Sequence, residues 1–324
     1  MSLSAETAVA VFNFADPWMR RIIAEAAPPG FDVRFIDDPP DEPAVCDLLA
    51  EADFLVTIAL PGSWARTLGR CRLVQLQGVG SDAVDLPALT EAGVPLALTP
   101  EGTVVNVAEH TILLALALCR RLPAVQESFS RGEFDRLGWR PHCHSLRGQT
   151  FGIVGFGRIG RRVAHLARAF EARVLYSDVS RAPADVEAEL GARHRPFHEL
   201  LAESDIVSVH TPLTPETRGL FGAREYARMK PGALFLNTSR GETYDMDALC
   251  SALGSGHLGG AGLDVYNPQP PPPEHPIRRL PNVVGTPHMA AGTVESHREK
   301  ARAQFDNFRR VLRGEPPLNL IRTD

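Results

Sequence analysis

Residues 151–160 read F-G-I-V-G-F-G-R-I-G, and this stretch limits what the chain can fold into more than any other. A short apolar run over 150–154, of the kind that favours strands, leads directly into Gly155-x-Gly157-x-x-Gly160. Helical spacing over 161–170 follows, then a second strand-like run over 173–177 that ends in Asp178. The three glycines act differently. Gly155 permits the tight turn, Gly157 lets the backbone approach a pyrophosphate, and Gly160 lets the helix pack close to the strand. The helix N-terminus then presents its unpaired N–H groups to phosphate. Asp178 stands where a carboxylate accepts hydrogen bonds from an adenosine ribose. Strand, glycine loop, helix, strand and acid in this order predict a dinucleotide-binding βαβ unit.

A chain of 324 residues has room for two domains, each with its own core. A formal charge of −5 gives no dominant basic surface, which argues against a nucleic-acid or membrane partner. The pairs Arg161-Arg162 and Arg309-Arg310 read as solvated helix faces. The cysteines, Cys46, Cys71, Cys119, Cys143 and Cys250, are scattered and form no C-x-x-C. That pattern predicts a reducing, cytoplasmic setting and no zinc site. His142-Cys143-His144 lacks a carboxylate partner, so no metal is expected there. The N-terminal residues show no basic segment followed by an apolar core, so no secretion signal is expected. The apolar run over 111–119 is too short to span a bilayer.

Apolar runs at 9–12, 54–58, 73–76 and 95–98 alternate with helical spacing, an α/β pattern without a phosphate-binding glycine loop. Residues 104–122 read as one long buried helix that Pro123 ends or kinks. Residues 123–146 read as irregular, polar and aromatic, suited to packing against another subunit. Strand runs then recur at 150–154, 173–177, 206–210, 233–237, 261–264 and 283–285. They predict six parallel strands in a doubly wound sheet, with a ligand crevice at their carboxyl ends. Asp178, His210, Arg240, Asp264 and His288 all fall at those ends. Gln269 and the four prolines after it read as a rigid loop. The helical tail over 295–313 is expected to pack on the N-terminal half and complete that domain.

Several motifs coincide in order: G-V-G-S-D-A-V-D at 78–85, V-A-E-H at 107–110, the dinucleotide loop, H-T-P-L-T at 210–214, N-T-S-R-G at 237–241, L-D-V-Y at 263–266 and T-P-H at 286–288. With these motifs the chain resembles the D-isomer-specific 2-hydroxyacid dehydrogenase family. The resemblance runs from about residue 9 to the C-terminus. It implies two Rossmann-like doubly wound α/β domains: a substrate (flavodoxin-like) domain of residues 1–103 with 290–324, and an NAD-binding domain of residues 104–289. It implies NAD as cofactor, a small 2-oxo or 2-hydroxy acid as substrate, and a homodimer.

The resemblance also implies a chemistry, with the following roles expected of these residues. Backbone N–H groups of the Gly78-Val79-Gly80 turn are donors for a substrate carboxylate. Arg240 pairs with the carboxylate and carbonyl oxygen through its fork of donors. His288 protonates the carbonyl oxygen in reduction and takes the proton back in oxidation. Asp264 receives the nicotinamide carboxamide. Gly155, Gly157, Arg158, Ile159, Gly160, Asp178, His210, Thr211, Pro212, Thr217, Thr238 and Ser239, together with Arg240 and His288, line the expected cofactor site. Trp64 and Trp139 are candidate walls of the substrate pocket.

One position departs from the family. Most members carry a glutamate five residues after the aspartate of the L-D-V motif, bonded to the catalytic histidine; here it is Gln269. The family's formate dehydrogenases also have glutamine, in a similar Q-P-x-P context, because hydride loss from formate releases carbon dioxide without proton transfer. Gly80-Ser81-Asp82 resembles that branch too. Thr103 in place of its asparagine, an intact Gly155 and the lack of a long N-terminal extension oppose it. The expectation is therefore a D-2-hydroxyacid dehydrogenase of the glyoxylate or hydroxypyruvate type. A formate-type oxidation and an NAD(H)-sensing scaffold stay open as alternatives.

Overall fold

Short runs of apolar residues that alternate with amphipathic helices have one economical solution, a parallel sheet with helices on both faces, and this chain builds it twice. The computed structural model describes residues 7–321. They divide into two units, one running through Thr103 and resuming at Gly292, the other Val104–Ala291.

In the first unit β1 (Ala8–Phe12), β2 (Phe31–Phe35), β3 (Phe54–Thr57), β4 (Leu73–Leu76) and β5 (Leu96–Ala97) pair in the order β2-β1-β3-β4-β5, all parallel. That order is flavodoxin-like. Its helix Pro17–Ala26 starts where Asp16 accepts hydrogen bonds from Trp18 and Met19 N–H and Pro17 presets the first turn. The tail forms the helix Val294–Leu312, capped by Thr293. Its apolar stripe, Ala301, Phe305 and Phe308, is buried with Phe12 and Phe54, and Phe54 stacks on Phe308 at 4.3 Å between ring centroids. The C-terminal helix therefore completes the first sheet's core.

The second unit holds β6 (Thr150–Val154), β7 (Arg173–Ser177), β8 (Ala192–His194), β9 (Ile206–Val209), β10 (Leu234–Asn237), β11 (Gly260–Leu263) and β12 (Val283–Gly285). They pair in parallel in the order β12-β11-β10-β9-β6-β7-β8. The order in which strands are added reverses between β6 and β9, so the loops that follow these two parallel strands lie side by side at the topological switch point. The helix Arg158–Ala169 leaves β6 and buries Gly160, Val163, Ala164 and Ala167 on one face.

Three features differ from expectation. The long helix stops at Cys119; Arg121 takes a left-handed conformation (φ 51°) and a second helix runs Leu122–Ser130, with Pro123 in its first turn. Proline lacks an N–H, so it starts this helix without losing a bond. The segment after it is therefore not wholly irregular, and it also holds a 3-10 turn at Arg140–His142. Finally, β2 and β8 lack an expected run: both are short edge strands with charged residues, which blur an apolar signal. Trp64 lies in the core of the first unit. Among the described residues all five cysteines are unpaired, no group of side chains suits a metal, and no single helix is long and apolar enough to cross a membrane.

Candidate active site

The glycine loop is shaped by what a side chain would strike. Gly155 has φ +93°, and a Cβ there would sit 2.7 Å from the carbonyl carbon of His210. Gly160 packs so closely that a Cβ would run into the carbonyl oxygen of Gly155. At Gly157 the space is open, with no heavy atom within 4 Å of a Cβ position. Gly157 is the N-cap of the helix Arg158–Ala169 and provides no side-chain cap for the helix start. Across the switch point the buried Thr211 hydroxyl has no hydrogen-bond partner among the described residues. Open room at a glycine, a helix start without a side-chain cap and an orphaned buried hydroxyl together fit a pyrophosphate-bearing cofactor.

Asp178 ends β7. One carboxylate oxygen accepts from Phe156 N–H at 2.6 Å and the other from Ser180 N–H at 3.3 Å, which ties the acid to the glycine loop. Arg158 is exposed at the helix start, while Ile159 packs against the core. After β9, Ser208 Oγ lies 2.8 Å from His210 Nε2, and burial pushes the His210 pKa down to about 3, so this ring is neutral. Thr217 closes the next loop by donating to the Pro212 carbonyl at 2.7 Å and accepting from Thr214 N–H at 2.8 Å.

Arg240 is presented by the loop after β10. Fully buried Asn237 holds that loop: its amide donates to the Arg240 carbonyl at 3.2 Å and Thr243 Oγ1 at 2.9 Å, and its oxygen accepts from Ser239 N–H and Oγ. The Thr238 hydroxyl meets Thr111 Oγ1 at 3.1 Å. Arg240 donates to the Ser239 carbonyl at 2.8 Å. A side chain at Gly241 would collide with the Tyr266 carbonyl, so the arginine loop and the loop after β11 are pressed backbone to backbone.

The residue after Leu263, Asp264, is 0% exposed. Its carboxylate accepts from the Thr286 hydroxyl at 2.6 Å and from Met289 and Ala290 N–H at 2.8 Å each. It thus clamps the turn carrying His288, whose φ of 52° lies in the left-handed region. His110 completes the clamp, with Nε2 3.0 Å from Thr286 Oγ1; burial pushes its pKa down although Asp264 pulls the other way. Gln269 Nε2 stands 2.8 Å from His288 Nδ1. The fold thus gathers the expected residues of the second unit at the carboxyl ends of one sheet. It also shows that Asn237, His110 and Thr286, to which sequence reasoning assigns no role, hold the loops of Arg240 and His288 in place. Their presence in the N-T-S-R-G, V-A-E-H and T-P-H motifs was the signal.

In the first unit, Gly78, Val79 and Gly80 follow β4, and their N–H groups donate to no acceptor among the described residues.

The family model for the D-isomer specific 2-hydroxyacid dehydrogenase NAD-binding domain matches residues 112–290. The chain belongs to the D-isomer specific 2-hydroxyacid dehydrogenase family. It is 38% identical to a glyoxylate reductase of Aeropyrum pernix, over 90% of each chain. It is 35% identical to a mitochondrial formate dehydrogenase of Hordeum vulgare, over 75% of this chain and 65% of that one. In structure it resembles the NAD-complexed D-isomer specific 2-hydroxyacid dehydrogenase of Lactobacillus delbrueckii, with a TM-score of 0.81, 25% identity, and coverage of 98% and 100% of the two chains. This dehydrogenase uses NAD and moves a hydride between nicotinamide and a 2-hydroxy acid/2-oxo acid pair.

Proposed function

We propose that the enzyme reduces a small 2-oxo acid of the glyoxylate or hydroxypyruvate kind, with Arg240, His288 and Gln269 as its catalytic residues. Bound NADH supplies the hydride. The glycine loop, with Gly155, Gly157, Arg158, Ile159 and Gly160, takes the pyrophosphate, and Asp178 takes the adenosine ribose. His210, Thr211, Pro212, Thr217, Thr238 and Ser239 line the rest of that site. Arg240 draws electron density toward the carbonyl oxygen and holds the carboxylate. The free N–H groups of Gly78, Val79 and Gly80 are donors for a carboxylate. His288 gives its proton to the developing alkoxide. Asp264 fixes the histidine turn and receives the nicotinamide carboxamide. Residues 1–103 with 290–324 act as the substrate domain and residues 104–289 as the NAD domain.

The observation that carries this reading is His288 on a turn locked by Asp264, at the strand ends that also present Arg240, with the Gln269 amide beside its Nδ1. As placed, the amide nitrogen donates to Nδ1, which leaves the ring proton on Nε2. With the amide turned over, its oxygen accepts from Nδ1–H of the protonated ring. A glutamine therefore serves both proton states. The test is NADH oxidation across glyoxylate, hydroxypyruvate and pyruvate, with formate plus NAD as the reverse control. Turnover of glyoxylate or hydroxypyruvate is expected; turnover of formate alone would move the enzyme to the second reading. That reading is favoured by Gln269 itself and by the likeness to the barley enzyme. No turnover with any of them would favour an NAD(H)-sensing scaffold.

The enzyme acts in the cytoplasm, a reading supported by its unpaired thiols. It works as a two-fold dimer, a reading supported by the exposed Phe129, Phe134 and Leu137, 60–82% accessible, on and after the helix Leu122–Ser130.

A further inference from the structure

Asp178 alone does not decide how the site treats a cofactor with a 2′-phosphate, because a cation, Arg181, follows three residues later on the same turn. A mobile guanidinium there would offer the phosphate a fork of donors and offset the carboxylate. The structure shows that this arginine is engaged. Glu187, in the helix Ala184–Leu190, accepts from Arg181 Nε at 2.9 Å and from Arg181 Nη2 at 2.9 Å. The same carboxylate accepts from the Tyr176 hydroxyl at 2.7 Å. That hydroxyl in turn accepts from Ala182 N–H at 2.8 Å, and the Tyr176 ring stacks on Phe156 at 3.9 Å. Phe156 is the residue whose N–H holds Asp178. Glycine loop, ribose acid and arginine latch are therefore one connected group that spans the loops after β6 and β7 and the helix Ala184–Leu190.

We propose that Glu187 is a positioning residue for cofactor choice: by holding Arg181 in a two-pronged pair, it denies the site the cation that a 2′-phosphate requires. The Glu187 side chain is 14% exposed and its partner 70% exposed, so the buried member anchors the exposed one. Arg181 first, and Tyr176 second, hold the Glu187 carboxyl down to about 2, so it stays charged at physiological pH. With Asp178, Arg181 and Glu187 all charged, the turn carries one net negative charge, which repels a phosphate and leaves a free ribose hydroxyl unaffected.

The inference rests on Asp178 as the ribose acid, and the experiment separates the two. Calorimetry measures binding of 5′-ADP and 2′,5′-ADP to the full chain. Glu187→Gln keeps the oxygen that accepts from Tyr176 and the shape of the side chain, but removes the Nη2 acceptor and the negative charge, so the pair with Arg181 is loosened to one neutral bond. It should tighten 2′,5′-ADP relative to 5′-ADP by about three- to tenfold, the range for one exposed charge plus one charge-assisted bond. The kcat/KM ratio of NADPH to NADH should move the same way. Arg181→Ala in the wild-type background removes a charge but no donor that the phosphate uses, so it should lower the ratio by less than Glu187→Gln raises it. The double variant Arg181→Ala/Glu187→Gln should lose the gain. An unchanged ratio in Glu187→Gln, a gain that survives in the double variant, or a fall in Arg181→Ala as large as the gain in Glu187→Gln would overturn the latch. Asp178→Ala should weaken 5′-ADP itself. If it does not, the ribose assignment falls and the latch with it; if it does while Glu187→Gln leaves the ratio unmoved, the latch alone falls.

Discussion

At the scale of single residues, the site pairs a histidine with a neutral partner where a carboxylate is the usual choice. A carboxylate beside an imidazole stabilises the protonated ring; an amide orients the ring without that charge. Reduction needs the protonated ring, so the alkaline limb of kcat/KM should lie at lower pH than a glutamate would set. Gln269→Glu should move this limb upward by about one unit or more, since a close charge pair is worth on the order of a few kcal/mol at an effective dielectric of about 20. The profile is measured with a 2-oxo acid that the wild type turns over, and an unmoved limb would mean that another group titrates. Arg240 makes a second, independent expectation. Arg240→Lys should lower kcat by about a hundred- to thousandfold, as loss of an oxyanion donor does, because a point charge cannot replace the fork. A lysine variant with near-normal kcat would remove Arg240 from the carbonyl.

Elements decide how these side chains are held. The arginine loop and the loop after β11 touch through Gly241, where a methyl group has nowhere to go. Gly241→Ala should force the two backbones apart, costing about 1–3 kcal/mol of stability in urea unfolding. It should also lower kcat more than it raises KM, because Arg240 is displaced from its working position; a fall in stability with kcat intact would mean that the loop yields elsewhere. The helix Val294–Leu312 carries a different strain. Lys300 is 4% exposed, and burial lowers its pKa to about 8. Its folded pKa lies below the unfolded value of 10.5, so below pH 8 the buried charge costs stability. The penalty fades as pH rises from about 8 to about 10.5, where only the unfolded chain holds the proton. Lys300→Met should therefore stabilise the protein at pH 7 by on the order of 1–3 kcal/mol, and by much less near pH 10. A gain that is equal at both pH values would assign the effect to packing.

For the whole molecule, the exposed aromatic and aliphatic side chains after Arg121 form the surface that a second copy would cover. Phe134 is 82% exposed and Leu137 60% exposed. Such residues are costly to leave in water as a group. Light scattering at roughly micromolar concentration should give the mass of a dimer, and Phe134→Asp with Leu137→Asp should give a monomer. A wild-type monomer under these conditions would end the dimer reading.

The sequence by itself determined the repeated α/β pattern, the glycine loop and the acid after it, and the set of polar residues at strand ends. These follow from local rules: strand and helix periodicity, the φ that glycine alone tolerates, and the N–H groups at a helix start. It did not determine where the long apolar helix would break, because Arg121 and Pro123 fit either a kink or a fresh start. It could not find β2 or β8, whose charged edge positions erase the apolar signal. Nor could it show that Asp264 serves largely as a clamp, that Asn237 and His110 support the loops of Arg240 and His288, or that Glu187 holds Arg181. Each of these is a pairing whose partner is fixed only when strands and loops close on one another. Hydrogen bonds and ion pairs have no periodicity in the chain; the tertiary structure alone decides which donor meets which acceptor.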